Sequence, residues 1–292
     1  MAKTNPLVRN TILATTASHL RHLSPNTKEY QVSEHYHKSL VIQNLREALA
    51  TPQELLGQDG AKALLMSAIL LNMISFAISE HESEDPETSW VFSTKEDRVN
   101  WLALQTGLRS ILQSLTVYIE DVVEFLGPIF LGGGKESWDF KNMQQDLTGI
   151  PQSWINIFQL QNSSMGEGCD PASTDYNDMY RLAIIQLSII RKVECIRSNT
   201  FRCLQFLSKI PPSFRALLHH RDERALWLFG YWLGLMCRFK DVWWFRKRVV
   251  RDHKAIVLWL KRLHLEQLPG TKGDDWREMM LDLELAPTYR SL

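Results

Sequence analysis

Apolar residues recur at three- and four-residue spacing through most of the chain, and the segments so marked predict helices. Leu7, Ile12, Ala14 and Leu20 define a first helix from Leu7 to Leu23, broken by Ser24-Pro25-Asn26. Val32, Tyr36, Leu40 and Leu45 share one side of a second, from about Tyr30 to Ala50, which Thr51-Pro52 ends. After a loop at Gly57 to Gly60, the run ALLMSAILLNMISFAI is apolar on nearly every face and predicts an enclosed helix. Trp101, Leu104, Leu108, Ile111 and Leu112 keep helical spacing behind a cap supplied by Ser93-Thr94 with Glu96 and Asp97.

Glycines, prolines and polar residues rise together from Leu126 to Asp175, which predicts an irregular, mobile connection over residues 126–175 around one short helix. Helical spacing resumes from Tyr176 to Arg197 and from Phe201 to Ser208, until Pro211-Pro212 stops it. RALWLFGYWLGLMCRF reads as a second enclosed helix. DVWWFRKRVVRDHKAIVLWLKRL is amphipathic, with Val249, Val250, Ile256 and Leu260 against a cationic side, and Asp274 to Leu285 makes a final short helix. No strand pattern occurs. The expected fold is all-α: a single helical domain over residues 1–292, with two buried central helices enclosing a hydrophobic pocket.

Lys plus Arg and Asp plus Glu both total 33, so no global positive field exists to hold a polyphosphate. Direct nucleic-acid binding by the whole surface is not expected. Cys169, Cys195, Cys203 and Cys237 form no CxxC pair and have no His at zinc-site spacing, which predicts free thiols in a reducing compartment. The N-terminus lacks the apolar stretch of a signal peptide. The longest strongly apolar runs without charge, Ala63 to Ser79 and Ala225 to Cys237, fall short of the roughly 20 residues that span a bilayer. The expectation is an intracellular, cytoplasmic protein without a membrane span, nuclear if it is a regulator.

The chain has no GxGxxG, GxxxxGK[ST], HExxH or triad-bearing GxSxG motif, and no cofactor is expected. Gly132 to Gly134 with Lys135 reads as a linker before it reads as an anion cradle. The pairs His19/His22, His35/His37 and His219/His220 lack a carboxylate at matching spacing and read as hydrogen-bonded core histidines rather than metal ligands. Arg246, Lys247, Arg248, Arg251 and Lys254, beside Trp243 and Trp244, read as a solvated helix face.

Polar groups inside the two enclosed helices are more telling. Asn72 and Ser75 stand at i and i+3 in the first, and Tyr231 and Trp232 bring an OH and an NH into the second. Internal hydrogen bonds would satisfy them, but a few donors in an apolar interior also orient a lipophilic ligand. Gly230 and Gly234 clear one face of their helix, either for close packing or for a ligand.

The order of Pro212, Phe214, Arg224 to Leu226, Tyr231-Trp232 and Trp243-Trp244 resembles the C-terminal effector domain of fungal zinc-cluster transcription factors of the sterol-uptake-control type. PLVRNTILATTASHLRHL, YQVSEHYHKSL and ALLMSAILLNMISFA look like that family's opening helices. The resemblance is weakest between about Phe130 and Asp175. It implies a helical domain that encloses a sterol or similar polycyclic lipid and is normally joined to a six-cysteine, DNA-reading zinc cluster. This chain starts at Met1, within a few residues of the first effector helix. It contains neither that module nor a dimerising heptad segment, so DNA binding in the family's manner is not expected.

Two uses of a freestanding pocket follow. One is a cofactor-free cyclase or pericyclase that folds a polycyclic terpenoid or sterol-like substrate into its reactive shape. Tyr231, Trp232 and Asn72 would donate to the substrate's carbonyl, and Ser75, Phe76, Trp101, Leu108, Phe229, Leu233 and Met236 would bind it. His19, His22, Asp241 and Glu120 are candidate general acids. The other use is a non-catalytic lipid sensor acting on a DNA-binding regulator. An inert relic is a third reading. The cyclase is favoured, since a sensor without an output module needs a further partner. A homodimer through the Trp243-Trp244 surface is left open.

Overall fold

The computed structural model describes residues 1–77, 84–130, 147–160, 171–211 and 213–290. Among these the fold is all-α, with no strand. The described helices are α1 (Pro6–Leu23), α2 (Lys28–Ala50), α3 (Gln53–Phe76), α4 (Asn100–Ser114), α5 (Ile119–Phe130), α6 (Gln152–Ile157), α7 (Pro171–Ile190), α8 (Thr200–Lys209), α9 (Ser213–His220), α10 (Glu223–Met236), α11 (Trp243–Arg262) and α12 (Thr271–Leu285). Contacts within the chain gather into two compact units. The first is Met1–Ser83, Asn100–Gly134 and Asp241–Arg248; the second is Glu84–Val99, Lys135–Lys240 and Val249–Leu292.

In the first unit, the Asn5 side chain accepts from the Val8 N–H and Pro6 occupies the first turn of α1, as a helix start requires. A buried ion pair, Arg21 Nε to Glu34 at 2.9 Å, ties α1 to α2. Gly57, at φ 66°, puts a kink in α3, so the long regular helix begins just after it. Leu64, Leu65, Ala68, Leu71 and Ile74 of α3 then form a core with Leu7, Val41 and Leu45. Met66, Ile69 and Leu70 stay half-exposed, so α3 buries one broad face rather than all of them. By length and composition the segment Glu54–Phe76 is apolar enough to cross a membrane, but half of its most apolar stretch is buried inside the protein, as in a core helix.

Helix α5 departs from the sequence expectation, in which the irregular connection begins at Leu126. Val122 and Leu126, one turn apart, join the α3 core, and that packing carries the helix to Phe130. Of the stretch predicted to be irregular and mobile, α6 is the expected short helix and α7 begins at Pro171. Residues 131–146 and 161–170, with Gly132 to Gly134 and Cys169, lie outside the described residues.

The second unit is built around α10. Asp222 Oδ1 accepts from the Ala225 N–H at 2.9 Å and starts the helix. Every residue from Ala225 to Met236 is buried. Helix α7 was expected to run to Arg197 but ends at Ile190, and a side chain distant in sequence supplies the reason. Arg238 donates from Nη2 to the Ile190 carbonyl at 2.9 Å and from Nη1 to the Arg191 carbonyl at 3.1 Å. It thereby takes the last carbonyls that a longer helix would have used.

Candidate functional site

The sequence-predicted site residues fall into two groups, one in each unit. In the first unit, α3 and α4 run antiparallel. Gln105 Nε2 donates to the Asn72 carbonyl at 3.0 Å, and one turn along, Phe76 meets Trp101 edge-on at 5.2 Å. Phe76 is fully buried and also packs edge-on against Trp244 and Phe245. Arg248 caps α3, donating from Nε to the Phe76 carbonyl at 2.6 Å, and its guanidinium lies 4.5 Å over the Trp101 ring. Asn72, 8% exposed, keeps its side-chain Oδ1 buried without a hydrogen-bond partner. A buried acceptor in that state costs roughly 1–3 kcal/mol until a donor reaches it. Ser75 turns its hydroxyl back to the Leu71 carbonyl at 2.7 Å, and Leu108 packs against the α3 core.

In the second unit, Tyr231 stacks on Trp227 at 5.1 Å and meets the edge of Trp154 at 4.8 Å. Burial pushes its phenol above the usual range; Arg191 pulls it down and Asp282 pushes it further up. Asp282 accepts from Trp154 Nε1 at 3.0 Å, yet burial still raises its carboxyl. The Arg191 guanidinium lies over both Trp154 and Tyr289. Tyr231 therefore faces a partly desolvated set of charges, which is the setting of many functional sites. Trp232 donates from Nε1 to the Cys203 carbonyl at 3.1 Å and stacks on Phe206. Phe229 packs among Trp90, Phe214 and Trp232, and Leu233 and Met236 are fully buried.

Of the two uses foreseen for Gly230 and Gly234, the structure shows close packing. A Cβ at Gly230 would lie 2.7 Å from Ile256 Cγ2, and one at Gly234 would lie 2.6 Å from Ala286 Cβ. His19 and His22 both rest on the ring of Trp243, at 4.8 and 5.7 Å; His37 Nδ1 meets Asn10 Oδ1 and His219 Nε2 meets the Glu96 carbonyl. The basic run requires a correction. Arg246 and Lys254 are exposed, but Arg248 and Arg251 are buried, the latter paired with Asp252 at 2.9 Å, while Asp252 also accepts from Ser89. A helix face read as solvated is partly internal because aromatic rings and a carboxylate take up its charges.

Gln105, Trp154, Arg191 and Asp282 escaped the sequence reading, and Arg248 reads there as solvated. Trp154 lies in the stretch taken as irregular, and the others resemble surface residues. Cys195 and Cys203 are free thiols.

An all-helical module with desolvated polar groups among aromatic rings is the class that the fold and site define. Residues 1–117, which take in α1 to α4, match the family described as Fungal specific transcription factor domain. The chain is thus fungal-transcription-factor-like over that stretch, and the match favours the regulator over the cyclase. No curated protein and no solved structure matches the chain.

Proposed function

We propose that the chain is a non-catalytic regulatory module of the sterol-uptake-control type, which takes a lipophilic small molecule and passes its state to a DNA-binding regulator. The observation that carries this reading is the match of residues 1–117 to the fungal transcription factor domain. The Asn72 side chain supports a hydroxylated ligand of sterol or terpenoid type. Its buried Oδ1 lacks a donor, and Phe76, on the same face one turn on, brings the Trp101 ring alongside. A ligand hydroxyl donating to that oxygen would remove the desolvation cost, and the rings would cover its apolar body. In this reading Ser75 and Leu108 border the ligand, while Tyr231, Trp232, Phe229, Leu233 and Met236 hold the second unit together. The regulator reading implies a nuclear location and a protein partner.

The test is a reporter gene driven by the full chain fused to a heterologous DNA-binding domain, in cells depleted of and then resupplied with ergosterol. Transcription that follows ergosterol in the wild type, with a weakened response in Asn72→Leu, is expected. An unresponsive reporter, together with stereoselective conversion of a polyene terpenoid by the purified chain, would replace the regulator with the cyclase.

A further inference from the structure

Two arginines in the second unit, Arg98 and Arg221, grip the same short segment. Arg221 has left-handed backbone at φ 56°, and its guanidinium lies 4.6 Å over the Trp259 ring. It donates from Nε to the Val91 carbonyl at 2.7 Å and from Nη2 to the Ser93 carbonyl at 2.8 Å. Arg98 donates from Nη1 to the Lys95 carbonyl at 3.4 Å and from Nη2 to the His219 carbonyl, and its Nε is buried without a hydrogen-bond partner. Every one of these acceptors is a neutral backbone carbonyl. Among the described residues no carboxylate forms an ion pair with either guanidinium. The neighbouring Glu96 and Asp97 are exposed. Burial, and then the charge of Arg98, holds Arg221 below the usual guanidinium range, as expected of two like charges held close without a counterion.

Thr94 is exposed and stands between the two residues whose carbonyls the guanidiniums hold, Ser93 and Lys95. Paired guanidiniums suit a doubly charged, multiply accepting oxyanion better than a single carboxylate, and a phosphoryl group placed opposite them gains charge-assisted hydrogen bonds. We propose that Arg98 and Arg221 form a phosphoryl-binding site on the 91–98 segment. The group arrives either on the hydroxyl of Thr94 or on a free phosphate-bearing ligand. This inference does not depend on the lipid-binding reading.

The test uses the full chain and inorganic phosphate, followed by 31P NMR line broadening at constant ionic strength. A free-ligand site gives saturable broadening that weakens by about tenfold in Arg98→Gln. Arg98→Lys, which keeps the charge but loses the fork, falls between the two and covers a fold defect in the glutamine variant. A covalent source gives no saturable broadening with free phosphate. Instead, mass spectrometry of the protein from fungal cells finds phosphate on Thr94, absent in Thr94→Val, and the phosphothreonine titrates lower in the wild type than in Arg98→Lys. Absence of both saturable binding and modification overturns the proposal.

Discussion

Gly234 separates the two readings of the cleared face of α10. Replacing it with alanine in an ordinary exposed helix would raise stability by roughly 1 kcal/mol, because glycine loses the most backbone freedom on folding. Here the added Cβ would stand 2.6 Å from Ala286 Cβ and 2.9 and 3.1 Å from His253 Cε1 and Nδ1. Carbon atoms rest at about 3.5–4.0 Å, so α10 and the Ala286 turn must part by about 1 Å. Neither neighbour can swing aside. The Ala286 Cβ is fixed to backbone, and the His253 ring is held where its Nδ1–H donates to the Gly230 carbonyl at 3.0 Å. Because neither neighbour can yield, overpacking here falls in the upper part of its usual range, about 2–3 kcal/mol, which outweighs the propensity gain and leaves a net loss of about 1–2 kcal/mol. Urea denaturation is the assay, with a lower midpoint at an unchanged slope expected. Gly107 in α4, around which nothing lies within 4 Å, serves as the internal control: Gly107→Ala should hold or raise the midpoint. A Gly234→Ala protein as stable as the wild type would refute the close packing and restore room beside α10.

Three further outcomes follow from the second unit. Burial holds the His253 imidazole below its ordinary value near 6.5, so in the window just below that value the unfolded chain binds the proton and the folded chain does not. Stability should therefore fall as pH drops from 8 through about 6.5 toward the depressed folded value, and the fall should flatten in His253→Gln when urea midpoints are compared. Trp227→Phe removes the donor that reaches the Met279 carbonyl at 2.7 Å and should cost about 1–3 kcal/mol in the same assay. Burial pushes the Cys203 thiol up to about 12, while Cys195 is exposed. A short iodoacetamide pulse read by mass spectrometry should label Cys195 first, and Cys203 only under unfolding conditions; equal labelling would contradict the packing around α8.

Helix identity was legible wherever an apolar stripe coincided with local punctuation. The Ser24-Pro25 break ended α1, Thr51-Pro52 ended α2, and the unbroken apolar run of α10 announced a helix with no solvent face. The candidate site was legible in part. Asn72 stood out as a polar residue in an apolar run, and it keeps a buried acceptor without a donor. Trp232 stood out in the same way, yet its NH is bonded to the Cys203 carbonyl, a partner 29 residues away.

The periodicity of side chains along the backbone is a local property, so the all-α class and the approximate helix limits were already determined by the order of residues. What the tertiary structure decided depends on groups that meet only after folding. It ended α7 at Ile190 through Arg238, carried α5 past Gly127-Pro128 by packing Val122 and Leu126 on α3, and buried Arg248 against Phe76 and Trp101. A cation's charge reads as surface in sequence because its cost in the interior depends on neighbours that the sequence does not place beside it.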